Sequence, residues 1–500
     1  MENNRKLGFL VLGGLLVATL GARAAYSLEQ KKGELAYVPD ASGLRTPTRL
    51  PRPWQHTADP GPALPPGEKG LLRLSTELDR TGLMRGGDGL VHVGVTLDTH
   101  GLGAGQRMPT DVVVVFDHSG SMNGQKLEYG KQALRELIGR LAPDDRLGLV
   151  AYASTADVRI PLGESAATGR SRWLGVVEAM SVDSGTNIGA GLDLGVAELG
   201  RGRTRGRATR MLLLSDGLAN EGDTSVSGLG ARAHRALESE SVLSTVGIGS
   251  DFDENVMTAL ARQGAGAFYY LAKLETLPQL LSAELKTAGE TYAQRAELHF
   301  KLGSGVKLVS ASNSPFTQTG DTAVVSLGGL YGEYTQQLWL TLQVPTKDLG
   351  ERELGSLSVR YTRDERAFEV RADALPKLSM VSDEAEFRRR IVVPVWERAT
   401  IEEKLGRSKE QLGLAIGNGT PSDVDNVVAA VAADEALAKS LGSERVQQEI
   451  VAFQAASAPA KAAQASGGER RSVAAKSATA SSFGSRNKAA YKNMAEYETR

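Results

Sequence analysis

Cysteine is absent from all 500 residues. That excludes disulfides, thiolate metal sites, iron–sulfur clusters, a catalytic thiol and a lipid-modified cysteine near the N-terminus. An excess of either charge sign is also missing. Lys and Arg total 58 against 59 Asp and Glu, for a formal charge of −1. This balance excludes a strongly basic nucleic-acid coat and a strongly acidic solvating protein, so no nucleic-acid partner is expected. Beyond the first twenty residues there is no long apolar run. Val427 to Ala433 spans seven residues, where a membrane crossing needs ~20. The six histidines (His56, His92, His100, His118, His234 and His299) form no H-E-x-x-H, which removes a zinc-protease reading. No G-x-S-x-G nucleophile elbow and no G-x-x-x-x-G-K-[ST] phosphate loop occur. Ser304-Gly-Val-Lys307 matches S-x-x-K, but it lies in a strand-like segment and is a chance match. No repeat of 20–50 residues is visible, so solenoids and propellers are excluded.

What remains is a chain able to bury a large core. Hydrophobic residues make up 41% and charged residues 23%, as in globular proteins. Length alone suggests two to four domains. The start reads as an address. Arg5 and Lys6 precede an apolar stretch from Leu7 to Leu20, followed by Ala22-Arg23-Ala24. A charged start, a short apolar run and small residues before a cleavage point predict a secretory signal peptide over 1–24. An uncleaved N-terminal membrane anchor is the alternative. A secreted or periplasmic location follows from the first reading.

Eight of the 18 prolines fall between residues 31 and 66, so 25–68 is expected to be an extended proline-rich linker. Leu71, Leu72 and Leu74, then Leu90, His92, Val93, Val95 and Leu97 predict strands within 69–108. From Asp111 the pattern changes. Asp111-Val-Val-Val-Val-Phe116 is a β-branched run suited to a strand buried on both faces of a parallel sheet. Leu127, Leu134, Leu137, Ile138 and Leu141 follow at helical spacing. Strands and helices then alternate to about residue 289, predicting a doubly wound α/β domain over 109–289 with a mostly parallel sheet. Period two returns over 290–375, for a flanking β-sandwich that the strands of 69–108 join, with the α/β domain inserted. Residues 376–456 read as helical, with Pro394 expected to interrupt or end the first helix and Pro421 to open another. The tail, 457–500, falls to Ala, Ser, Gly and Lys with a net charge of +4 from Glu469 onward, and is expected to be disordered. Tyr491 and Tyr497 lie in it.

The strand ending at Phe116 delivers Asp117-His118-Ser119-Gly120-Ser121 to the sheet edge where doubly wound folds bind ligands. One carboxylate and two hydroxyls stand at alternate positions, with Gly120 expected to permit the tight turn. Such hard oxygens suit Mg²⁺, Mn²⁺ or Ca²⁺. A second loop reads Ser184-Gly185-Thr186-Asn187-Ile188, and a third Asp216-Gly217 after the strand Met211 to Ser215. These three motifs, D-x-S-x-S, S-G-T-N-I and L-L-L-S-D-G, in this order resemble the von Willebrand factor type A domain. The resemblance covers roughly residues 109–289 and implies a metal-ion-dependent adhesion site. Asp117, Ser119, Ser121, Thr186 and Asp216 would hold a divalent cation, Mg²⁺ first, with Mn²⁺ or Ca²⁺ as alternatives. In the family the hydroxyls bind the metal directly and one or both Asp act through water. Ser184 departs from the family, which often has glycine there. His118 is expected to face solvent.

With two carboxylates from the chain, the ion stays electrophilic, so an Asp or Glu on a protein partner would complete it. The expected function is metal-dependent protein binding in adhesion or assembly, not catalysis. The alternatives are a metal-assisted hydrolase, which needs a base that the loops do not supply, and a structural envelope scaffold. The arrangement resembles bacterial secreted or envelope proteins, some of them named as homologues of calcium-activated chloride channels. Arg201, Arg203, Arg205, Arg207 and Arg210 crowd one short stretch. They read either as a basic patch for an acidic partner or as a solvated loop.

Overall fold

A computed structural model describes residues 72–99, 107–204, 206–249, 251–271, 273–332, 334–363, 366–466 and 468–486. The signal-peptide and linker segments, Arg205, Tyr491 and Tyr497 lie outside these residues. Strands β1 (Leu72–Leu78), β2 (Gly82–Met84) and β3 (Leu90–Thr99) come first. The α/β domain follows as β4 (Thr110–Asp117), α1 (Gln125–Arg140), β5 (Arg146–Tyr152), β6 (Ala156–Ile160), α2 (Ala166–Glu178), α3 (Ile188–Gly202), β7 (Ala208–Ser215), α4 (Val226–Glu238), β8 (Ser241–Ile248), α5 (Glu254–Gln263), β9 (Ala265–Leu271) and α6 (Leu277–Gly289). Its six strands run in the order β6-β5-β4-β7-β8-β9. All neighbours are parallel except β5 and β6.

Every residue of β4 is buried, which explains its unbroken apolar run. Val112, Val114 and Phe116 pack on one face with Leu134, Ile138 and Leu281. Val113 and Val115 face the other way, toward Leu192, Leu229 and Leu260. Helices therefore cover both faces, as a parallel sheet requires. The chain leaves β4 for β5 on one side and later returns to β7 on the other. This reversal opens a crevice at the carboxyl ends of β4 and β7, where doubly wound folds place their ligands.

The remaining strands are β10 (Thr291–Leu302), β11 (Lys307–Ala311), β12 (Phe316–Thr319), β13 (Thr322–Tyr331), β14 (Tyr334–Gln343), β15 (Gly350–Arg352), β16 (Gly355–Arg363), β17 (Arg366–Arg371) and β18 (Leu378–Val381). Sheets β1-β3-β14-β11 and β12-β13-β10-β16-β17 close over one core that includes Val91, Val93, Val95, Leu298, Phe300, Val325 and Val359. Period two is visible there, since alternate residues of β3 enter the core. β3 pairs with β14 from Thr99↔Tyr334 to Leu90↔Gln343. The α/β domain is thus inserted into the sandwich, and its two ends meet: Met108 N donates to Gly289 O at 3.1 Å.

The helical region comprises α7 (Glu384–Arg389), α8 (Val393–Ala399), a π-helical turn Thr400–Lys404, α9 (Leu405–Asn418), α10 (Pro421–Ala430), α11 (Ala432–Leu441), α12 (Glu444–Ser466) and α13 (Gly468–Arg486). Pro394 does not interrupt a helix. It occupies the first turn of α8, where its missing N–H costs nothing. Thr420 and Asp423 form a reciprocal capping box around Pro421. The expectation of disorder from residue 457 is overturned through Arg486, because α12 and α13 are helices packed into this region. Alanine is the best helix former, and small side chains let helices approach closely. A methyl at Gly413 would stand 2.2 Å from Thr479 Oγ1. Low complexity here encodes a close helix–helix contact. Among the described residues no helix is long and apolar enough to cross a membrane.

Candidate functional site

Three loops meet at the β4/β7 crevice. In the first, the backbone leaves β4 and makes a 3₁₀ turn over Gly120–Met122. Gly120 opens this turn, as expected, without left-handed backbone. Two left-handed glycines flank the hydroxyls: Gly124 (φ +79°), ahead of α1, and Gly185 (φ +75°) in the second loop. A methyl at Gly185 would also meet Ser154 Oγ at 2.2 Å and Glu221 Oε1 at 2.4 Å, so glycine is required there twice over. Asn187 caps α3 by accepting from Ala190 N at 3.0 Å. The second and third loops are tied by Thr186 N donating to Asn220 Oδ1 at 2.8 Å and by Asn220 N donating to Thr186 O at 3.1 Å.

The five residues singled out above come together here. Asp117 and Asp216 are fully buried, Ser119 and Thr186 nearly so, and Ser121 is exposed at the mouth. Ser119 Oγ lies 3.0 Å from Ser121 Oγ, and Ser121 Oγ donates to Asp216 Oδ1 at 2.7 Å. A methyl at Gly217 would stand 3.2 Å from Ser121 Oγ and 3.7 Å from Thr186 Oγ1, so glycine keeps the space between these hydroxyls open. Asp117 Oδ1 accepts Ser119 N at 2.9 Å, and its Oδ2 accepts Ser215 Oγ at 2.8 Å. The Tyr152 hydroxyl lies 3.2 Å from the same Oδ2. Burial pushes the Asp117 carboxyl above the usual carboxylate range, against the pull of the Ser119 and Ser215 donors. Burial beside Asp117 also raises the Tyr152 hydroxyl well above its ordinary value.

This donor set fits a hard divalent cation: hydroxyls and carboxylates, with no sulfur or imidazole among them. A cation would also relieve the desolvated Asp117. Among the described residues no group of three or more His, Asp and Glu could hold a metal, so the oxygens gather around two carboxylates only.

Residue spacing gave no sign of several participants. Lys126 Nζ donates to Asp216 Oδ2 at 2.6 Å, although the D-x-S-x-S motif ends five residues earlier. Tyr152, at the end of β5, reaches Asp117 only because β5 is the neighbour of β4. His118 is corrected: it is buried, and its Nδ1–H donates to Ser181 O at 2.8 Å, pinning the first loop to the chain ahead of the second.

Among the described residues the arginine stretch divides: Arg201 and Arg203 are exposed, as a solvated loop would place them, whereas Arg207 and Arg210 are covered. Arg207 bonds Asp111 at 2.6 Å, Arg210 donates to the Tyr331 hydroxyl at 2.7 Å, Arg203 pairs with Glu240 at 3.2 Å and Arg201 pairs with buried Glu198. Arg207 and Arg210 fasten the far edge of the sheet.

Residues 111–283 match the family model described as the von Willebrand factor type A domain. Uncharacterized protein sll0103 of Synechocystis sp. is 30% identical over 275 residues, covering 51% of this chain and 62% of that protein. Uncharacterized protein YfbK of Escherichia coli (strain K12) is 28% identical over 195 residues, covering 38% of this chain and 34% of that protein. The chain therefore spans less than two thirds of either relative. Among solved structures, a von Willebrand factor type A protein from Catenulispora acidiphila superposes with a TM-score of 0.59 at 16% identity, over 77% of this chain and 90% of that one. At that identity the likeness speaks for the fold alone. Family match, fold and loop order agree: this chain carries a von Willebrand factor type A domain, set within additional sheets and followed by a helical region.

Proposed function

We propose that the chain is a protein-binding protein of the cell envelope or exterior, whose A-type domain recognises an acidic side chain of its partner through a divalent cation. The observation that carries this reading is the run of oxygens from Ser119 Oγ to Ser121 Oγ (3.0 Å) to Asp216 Oδ1 (2.7 Å), beside buried Asp117, at the β4/β7 crevice. Asp117, Ser119, Ser121, Thr186 and Asp216 would hold the ion, with Mg²⁺ as the first candidate. When bound, the ion supplies an electrophilic centre that accepts one more anionic oxygen. The chain's own residues do the rest. Asp117 is fixed by Ser119 N and Ser215 Oγ, and Asp216 by Ser121 and Lys126. Each carboxylate is thereby held by donors, which suits holding a cation and not shuttling a proton. That favours binding over hydrolysis.

The extracytoplasmic location rests on the signal-peptide pattern at residues 1–24, with cleavage after Ala24. Intact mass of exported protein tests it; a full-length membrane-held species points to the anchor instead. The binding reading is tested by a pull-down from envelope extract in Mg²⁺ and in chelator, repeated with Asp117→Ala as bait. A partner retained only by wild type with Mg²⁺ supports it. A partner retained in all conditions moves the assignment to a scaffold role.

A further inference from the structure

Lys126 occupies an unfavourable place for a lysine unless its charge is needed there. It is the second residue of α1, where the helix macrodipole repels cations. Its ammonium instead reaches Asp216 Oδ2 at 2.6 Å and stands 3.7 Å from Asp251 Oδ2 on the loop after β8. The stem passes Gly249, where a methyl would come within 3.4 Å of Lys126 Cε. The side chain is mostly covered, and Asp216 is fully buried. Among the described residues, Lys126 is the cation bonded to the site's carboxylates.

Charge arithmetic then gives it a role. The two buried site carboxylates carry −2, and Lys126 brings the cluster to −1. Asp251 is two-thirds exposed, so solvent screens its charge and it is left out of the sum. A divalent ion takes it to +1, and one carboxylate from a partner returns it to zero. Without Lys126 the ion alone would neutralise the cluster, and an incoming carboxylate would leave it at −1. Residual charge in a partly buried crevice is poorly screened. We propose that Lys126 couples the two binding events: it holds down the affinity for the ion alone and raises the gain from an acidic guest. It is a positioning and specificity residue, acting through Asp216 and the net charge. The inference rests on the cation-binding reading of the site.

The test uses the full chain and Mn²⁺ as probe, with free Mn²⁺ followed by electron paramagnetic resonance. Titrations run in sodium chloride and in sodium acetate of equal ionic strength, acetate serving as the carboxylate probe and a protein-free blank correcting for its own Mn²⁺ association. In chloride, Lys126→Gln should bind Mn²⁺ roughly five- to tenfold more tightly than wild type. Acetate should tighten Mn²⁺ binding to wild type and to Lys126→Arg, and tighten it less or not at all in Lys126→Gln. A merely structural lysine would weaken Mn²⁺ binding in the variant, and that result overturns the proposal. So does equal acetate enhancement in wild type and Lys126→Gln. Absence of any acetate enhancement in wild type overturns it without needing a variant. Failure of wild type to bind Mn²⁺ at all overturns the site reading together with this one.

Discussion

The two edges of the six-stranded sheet each bury a pair of carboxylates, and they treat them oppositely. At the amino edge, Asp111 accepts from Arg146 at 2.7 Å and from Arg207 at 2.6 Å. Asp145 accepts a bidentate pair from Arg107, both bonds 2.7 Å. Three guanidinium groups answer two carboxylates, and the cluster ends at +1. At the carboxyl edge, Asp117 and Asp216 are held by hydroxyls, a backbone N–H and one lysine, and the cluster ends at −1. Burial is the same in all four. The difference lies in how completely the charge is answered. A buried carboxylate matched by planar, bidentate donors is finished as structure. One held mainly by neutral hydroxyls keeps an electrostatic demand that a mobile cation can meet.

The comparison can be broken at either edge. The largest effect is expected from Asp111→Ala, which strands Arg146 and Arg207 beside a buried strand. It should cost about 4 kcal/mol in urea unfolding, while Mn²⁺ affinity of the folded protein stays unchanged. Loss of Mn²⁺ binding without loss of stability would reverse the assignment of the two edges.

Asp79 in the sandwich is a buried carboxylate of the answered kind. It takes His92 Nδ1–H at 3.0 Å and Arg80 Nε at 2.9 Å. Burial alone would raise its pKa, but Arg80 and His92 together outweigh this and hold it well below the usual carboxylate range. Asp79→Asn should cost about 3 kcal/mol near neutrality. A depressed folded pKa gives stability that is present above the unfolded value of about 3.9 and lost as pH falls toward the folded one. Urea midpoints of wild type and variant should therefore converge below about pH 4. A gap constant with pH would show that the loss is one of packing.

At the carboxyl edge the signs should change. Asp117→Ala should weaken Mn²⁺ binding by about a hundredfold, while removing only ordinary hydrogen bonds worth about 1–2 kcal/mol of stability. Calorimetry with unchanged Mn²⁺ affinity would remove Asp117 from the site. Thr186→Ala should weaken Mn²⁺ by about tenfold, since it deletes one neutral oxygen and no charge. The smallest effect belongs to Arg203→Ala. Its pair with Glu240 is largely exposed, so stability should move by less than about 0.5 kcal/mol and Mn²⁺ affinity not at all.

How much of this was legible in the sequence differs by region, for physical reasons. β4 was readable because burial on both faces leaves no polar position to confuse the period. The three site loops were readable because each immediately follows or precedes a strongly patterned element. Lys126 was not, because its contact with Asp216 joins the first turn of α1 to a loop 90 residues away. The arginines from 201 to 210 left both a patch and a solvated loop open because sequence proximity hides that the acidic partners of Arg207, Arg201 and Arg203 come from β4, α3 and the turn after α4. The helix α2 was missed: its residues Ala166–Glu178 bury only Ala166, Gly169, Trp173 and Val177, a stripe too thin to stand out. The terminal helices were misread because Ala and Ser carry little hydrophobic signal. Yet Lys476 on α13 pairs with Glu254 at 3.1 Å over the ring of Phe252.

The insertion has a consequence for the order in which the chain acquires its shape. Thr99 of β3 must find Tyr334 of β14, 235 residues later. Closing so long a loop in an unstructured chain is entropically costly and slow. The Met108–Gly289 hydrogen bond changes the problem. Once the α/β domain has closed on itself, its ends lie side by side, and the loop that remains shrinks to residues 100–107 and 290–333. During synthesis β1 and β3 would leave the ribosome first and wait without their partner, while the inserted domain folds and draws their future neighbours into reach. A variant slow to fold in the α/β domain should accumulate with exposed β3 edges, and aggregation should then track the folding rate of the insert and not the stability of the sandwich.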